Sequence, residues 1–134
     1  MKTYLTVSFA MLTGAAIGGF AVQGLHAQAK PPVYYVGQIE VLNEEAYAKD
    51  YVPKAQALIK NSGGKFIAIG GAAASGGKVT PIEGDPPKKR VVIQAWDSLE
   101  KIQAWRNSAE FKEVRKAGEG IAKFHAFAVD GVAQ

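Results

Sequence analysis

Two successive strand–helix–strand units can be read between Val33 and Asp130, and they predict an α+β fold of ferredoxin-like type. In that βαββαβ sandwich, a four-stranded antiparallel sheet carries two helices on one face. Three observations support it. Val33–Val41 is rich in β-branched and aromatic residues and precedes a stripe at helical spacing. Arg90 to Phe111 reads as strand, sharp turn and broken helix. Between these units, Gly84-Asp85-Pro86-Pro87 supplies turn chemistry that suits a hairpin-like connection.

The N-terminal segment is set apart from the fold. Lys2 gives a minimal positive start, and no charge interrupts the apolar run from Tyr4 to about Val22. Ala27-Gln28-Ala29 then provides the small-x-small pattern of a signal peptidase site. Residues 1–29 are therefore expected to be a signal peptide and 30–134 the folded domain, periplasmic or secreted. An uncleaved membrane anchor is the alternative, although Gly14, Gly18 and Gly19 weaken the run as a spanning helix. Membrane association is expected only in that case. No twin arginine is present, and with no cysteine neither a lipoprotein anchor nor a disulfide is available.

Within the domain, Val33–Val41 (VYYVGQIEV) forms the first strand. Asn43 is a plausible N-cap, with Glu44 and Glu45 complementing the dipole of the helix that follows. Tyr47, Tyr51, Ala55, Leu58 and Ile59 make its apolar stripe, Pro53 predicts a kink, and a glycine within Asn61–Gly64 ends it. Lys65–Gly70 is the second strand, Gly70–Gly77 (GGAAASGG) a flexible interruption, and Lys78–Glu83 is expected to resume the strand. Val91, Val92, Ile93, Ala95 and Trp96 are apolar on both alternations. Asp97 with Glu100, and Asn107 with Glu110, have the spacing of capping boxes and predict a helix in two pieces. Leu99, Ile102 and Arg106 fall on one side of the first piece. Gly118 and Gly120 close the second, and Lys123–Asp130 is the last strand.

Two helices can cover only one side of such a sheet. Leaving about six apolar side chains wet on the other side would forfeit on the order of 10 kcal/mol, near the whole stability of a small domain. A second copy packed sheet to sheet is the simplest cover, so a homodimer is expected. The formal charge of the whole chain is +4. That favours an anionic ligand over nucleic acid, because Lys88-Lys89-Arg90 is the single dense basic cluster.

The residues resemble the domain of unknown function 1330 family, within the dimeric α/β-barrel superfamily. The likeness runs from about Tyr34 to Gly131. It rests on the early tyrosine strand, Tyr47 and Tyr51, Gly63-Gly64-Lys65, Glu83-Gly84-Asp85, Arg90-Val91-Val92 and Ser98. The run Trp105-Arg106-Asn107-Ser108-Ala109-Glu110-Phe111, with Arg115 beyond, completes it. Ala72–Gly77 lengthens a step that is short in the family, and Phe111 stands where a tyrosine is common. The resemblance implies the dimeric barrel fold and carries no general activity.

His125 is the one histidine beyond residue 29, which excludes a multi-histidine zinc site. As a general base or haem ligand it would act from the last strand; a packed strand histidine is the plainer reading. No nucleophile-elbow pattern surrounds Ser62, Ser75, Ser98 or Ser108. Gly71–Lys78 fails the phosphate-loop pattern, since Val79 replaces the required hydroxyl residue and no helix follows. Arg115 lies beside the buried stripe of its helix, so its guanidinium needs a carboxylate of the fold or an anionic ligand. Tyr47, Tyr51 and Trp105 suit either the core or an apolar pocket with polar tips. The expectation is a small organic ligand, anionic or aromatic, bound without a cofactor. The alternative is a cofactor-free oxygenase- or isomerase-type enzyme on a compact aromatic or lactone, with His125 or Arg115 catalytic.

Overall fold

In the computed structural model of the chain, which describes residues 30–71, 76–87 and 89–134, the first strand becomes the centre of the sheet. β1 (Val33–Val41) is flanked on one side by β3 (Arg90–Trp96) and on the other by β4 (Ala122–Asp130). The strand β2 (Lys65–Gly70) pairs with the outer side of β3, so the order is β2-β3-β1-β4 with every pairing antiparallel. This is the ferredoxin-like βαββαβ arrangement expected from the element order. Residues 1–29, on which the expected signal peptide falls, residues 72–75 and Lys88 lie outside the described residues. No described helix is long and apolar enough to cross a membrane.

The first helical segment has three parts. Asn43 accepts a hydrogen bond from the Ala46 N–H (3.0 Å) and starts α1 (Glu44–Ala46). A π-helical turn (Tyr47–Tyr51) follows, then α2 (Val52–Ser62). Pro53 therefore does not kink an α-helix at its centre, as its position suggested. It sits in the first turn of α2, where its missing N–H costs little. The widened turn before it closes with Val52 N–H donating to the Tyr47 carbonyl. Gly63 takes φ 103° at the C-terminus, the left-handed conformation that a glycine reaches without a Cβ clash.

Lys78–Glu83 does not resume a strand. Beyond Gly70 there is a single bridge to Gly77, and β2 itself makes the antiparallel pair with β3. Pro81, Pro86 and Pro87 cannot donate to a ladder, which explains the irregular path. The two capping boxes are each displaced by one residue. Ser98, not Asp97, caps α3 (Leu99–Asn107), its Oγ accepting from Lys101 N–H (3.2 Å). Ser108, not Asn107, caps α4 (Ala109–Gly118), accepting from Phe111 N–H (3.1 Å). Asp97 instead pairs with Lys101 Nζ at 2.9 Å. On α3, Ile102 and Trp105 are the buried side chains, while Leu99 is exposed.

The helices cover one face of the sheet. Trp96, 1 % exposed, anchors a cluster with Val33, Tyr35, Ile59, Ile102, Trp105 and Phe111. Trp96 and Trp105 stack with ring centroids 5.1 Å apart. A second cluster joins Tyr47, Tyr51 and Ala122 with Ile39 and Phe124 packed against them. On the opposite face, Val36 is in register with both Ile93 and Phe127, and no described element covers that row. Phe127 and Val129 are exposed there.

Candidate functional site

A cavity forms where the two clusters meet, because one row of the sheet carries small side chains. Gly37 is in register with Ala126 on β4 and Val92 on β3, and Val92 faces Ile69 on β2. The neighbouring rows bear Phe124, Ile39 and Arg90 on one side, and Tyr35, Gln94 and Phe66 on the other. Glycine at the middle of the floor leaves the helices nothing to pack on. Tyr47, Tyr51, Ala55 and Ile59 roof the gap, with Trp105 and Arg115 closing it from the second helical pair. The space open to the centres of water molecules is about 70 Å³.

The roof and walls combine aromatic faces with cationic groups. The π-helical turn brings Tyr47 and Tyr51 into a stack with centroids 5.3 Å apart. The Arg90 guanidinium, buried with its residue 8 % exposed, lies 5.3 Å from the Tyr47 ring centre. Arg115 lies 3.7 Å from the centre of Phe124 and 4.9 Å from that of Phe111. Among the described residues the ion pairs are Lys101–Asp97 and Lys116–Glu113, so no carboxylate of the fold neutralises Arg90 or Arg115. Arg115 is thus held by aromatic faces, not by the structural ion pair that its helix position favoured.

Two buried donors lack acceptors: Arg90 Nε–H and Trp105 Nε1–H. Two other polar groups nearby are hydrogen-bonded within the protein. Gln94 Oε1 accepts from Trp96 Nε1–H at 2.9 Å, and the Tyr35 hydroxyl accepts from Arg106 Nη1–H at 2.9 Å. An unpaired buried donor costs roughly 1–3 kcal/mol; both residues contribute to the cavity wall, while the donor nitrogens themselves are packed against protein atoms.

Burial pushes the Tyr51 phenol up to about 12, against the opposing pull of Arg115. Burial also raises Tyr47, with Arg90 working in the other direction. Both hydroxyls therefore stay protonated at neutral pH. Above pH 10 the unfolded chain releases the Tyr51 proton while the folded one retains it, so the native state binds more protons. Stability should accordingly fall by about 3 kcal/mol as pH rises from 10 through 12. In urea titrations at stepped pH, Tyr51→Phe should remove most of that decline; an unchanged slope would place the titration elsewhere.

Of the residues singled out from sequence, Tyr47, Tyr51, Trp105 and Arg115 converge on the cavity. His125, on the strand that walls the cavity, is also among its lining residues. Strand alternation directs its imidazole to the other face of the sheet, beside Phe127 (6.3 Å between ring centroids). Arg90, Gln94 and Gly37 were not singled out as site residues. Their signal lay in phase: Arg90, Gln94 and Trp96 share one alternation of β3, an inward face with two polar members. Among the described residues, no three His, Cys, Asp or Glu side chains lie together as metal ligands.

A four-stranded antiparallel sheet with helices packed on one side is the subunit fold of the dimeric α/β barrels. The chain belongs to the DUF1330 family, a domain of unknown function, whose model matches residues 32–132. No curated protein matches the sequence. Among solved structures, it is similar to a protein of unknown function from Rhodopseudomonas palustris, at 14% identity and TM-score 0.56, covering 84% of this chain and 92% of that one. It is also similar to SnoaB, a cofactor-independent oxygenase from Streptomyces nogalater, at 13% identity and TM-score 0.53, covering 78% and 96%. At these identities the likeness is one of fold.

Proposed function

We propose that the protein binds a small organic compound in the cavity between its helices and sheet, as an exported homodimer. The observation that carries the reading is a cavity walled by aromatic side chains and by Arg90 and Arg115, two cations with no carboxylate partner among the described residues. Volume limits the ligand. A dry cavity of about 150 Å³ admits benzene, with its six non-hydrogen atoms; the 70 Å³ here suits a compound of roughly three or four. An aromatic ring would need the tyrosine roof to move.

Binding without turnover is favoured over the enzyme alternative, which the fold of an oxygenase alone suggests. The groups facing the cavity are donors, and none of them takes up a proton near neutral pH. His125 faces away, and Arg115 offers charge but no base. Dimerisation rests on the uncovered row Val36, Ile93 and Phe127. Export rests on the Ala27-Gln28-Ala29 pattern, and mass spectrometry of the natural product should find Lys30 at its N-terminus; an intact Met1 end would remove that part.

Gly37→Val tests the cavity. A Cβ at Gly37 would meet Tyr35 Cε1 at 3.6 Å and Val92 Cβ at 4.0 Å, ordinary contacts, and a β-branched residue suits a strand. The variant should fold with a melting temperature at or above that of the parent. It should also lose at least about tenfold in affinity for two-carbon alcohols, amides and acids, read by chemical-shift titration. Equal binding by both proteins would place any ligand outside the cavity.

A further inference from the structure

A groove distinct from the cavity runs along the edge strand β4. Ala126 and Ala128 belong to the helix side of that strand, yet both are exposed. Ile102 and Arg106, one turn apart on α3, line the same space, together with Tyr35 and Phe124. The groove holds about 240 Å³, against about 70 Å³ in the cavity, and a space of about 150 Å³ already admits benzene. Ala126 and Ala128 alternate with Phe127, so the groove opens on the side of the sheet away from the row proposed to pack in the dimer.

Arg106 is the one charged side chain lining this groove. Its guanidinium is fixed from within the fold. Nη1–H donates to the Tyr35 hydroxyl at 2.9 Å, and the group lies 4.5 Å from the centre of the Phe111 ring. Neither contact neutralises its charge. The ion pairs among the described residues are Lys101–Asp97 and Lys116–Glu113, so Glu110, one turn on, and Asp130, beyond Ala128, do not pair with it. Its other nitrogens are not sealed as Arg90 Nε is, and they stay open to an acceptor in the groove. Arg115 lies 4.9 Å from the centre of the same Phe111 ring, which places a second cation within about one Debye length.

We infer that this groove binds a monocarboxylate with a flat apolar body, of the benzoate class. The carboxylate accepts from the free N–H groups of Arg106, a charge-assisted contact that a guanidinium already held in place makes with little loss of freedom. The ring lies over Ala126 and Ala128, which span about 7 Å of strand. The cavity is too small for such a ligand, so the inference stands apart from the cavity reading.

Benzoate, benzamide and acetate, titrated into the ¹⁵N-labelled protein at constant ionic strength, separate the parts. Benzoate should saturate at roughly millimolar concentration and shift the amides of Ile102, Arg106, Ala126 and Ala128. Benzamide has the ring without the charge, and acetate the charge without the ring. Each should bind at least about tenfold more weakly. Arg106→Met keeps the apolar stem and should bring benzoate down to the level of benzamide. Tyr35→Phe leaves the ring in the core and frees the guanidinium. It should lower the benzoate-to-benzamide ratio, which a loss of stability alone would not move.

Equal affinity for benzoate and benzamide in the parent protein overturns the charge assignment, whether or not Arg106→Met folds. Equal affinity for benzoate and acetate overturns the flat apolar body. Benzoate shifts confined to Tyr47–Tyr51 and Trp105 overturn the groove as the site and move the ligand to the cavity. No saturation by benzoate overturns the inference and leaves the cavity reading, which concerns smaller compounds, standing.

Discussion

Ile93→Asp should abolish the proposed dimer and leave a folded monomer at micromolar concentration. Ile93 is a part-exposed side chain at the middle of the uncovered sheet face, in register with Val36 on β1 and Ala68 on β2. In a lone subunit its carboxylate would face water, and the cost would be the loss of about 1 kcal/mol of strand preference. In the proposed sheet-to-sheet dimer the twofold axis would bury two such charges near each other. Each unpaired buried carboxylate costs several kcal/mol, so the association constant should drop by a factor of at least about 10⁴. Sedimentation velocity with circular dichroism reads both halves of the prediction. A parent protein that is monomeric and well folded at micromolar concentration would remove the dimer, and Ile93→Val serves as the variant that should remain dimeric.

Gly64→Ala should destabilise the fold strongly. A Cβ there would lie 2.6 Å from Trp96 Cζ2 and 2.7 Å from Ile59 Cγ2. Neither neighbour can yield. Trp96 is the one fully buried large side chain, stacked on Trp105 and tied to Gln94 through its indole N–H. Ile59 carries the carbonyl that accepts from Gly64 N–H at 2.9 Å. Overpacking of this kind costs about 3 kcal/mol, which lowers the melting temperature of a domain this size by roughly 10–20 °C. Gly37→Ala provides the contrast, since the same methyl meets nothing closer than 3.6 Å. A Gly64→Ala protein melting within about 2 °C of the parent would show that the helix end can shift away from Trp96.

Local rules read well where the signal was local. The bounds of β1 and β2 match their apolar runs, Asn43 caps the first helix, and the glycine at its end takes a positive φ. Where two residues competed for one role, spacing could not choose. Asp97 and Ser98 both suit an N-cap, and Asp97 is drawn off by Lys101 one turn away. Burial of the pair Arg90 and Gln94 was legible only as a phase within a strand that is apolar on both sides. The expected continuation through Lys78–Glu83 failed because Pro81 carries no donor, and because β3 already had β2 as a partner.

By itself the sequence determined the order and type of the elements, the family, and the surplus of apolar residues on two faces of the sheet. These follow from periodicity and composition, which act over a few neighbouring positions. Only the tertiary structure decided that Gly37 and Ala126 meet in one row, that Arg90 and Trp105 end without acceptors, and that His125 points away from the cavity. A void is the difference between the space enclosed by several elements and the side-chain volume that fills it. No local pattern contains that difference, because the residues that set it lie far apart along the chain.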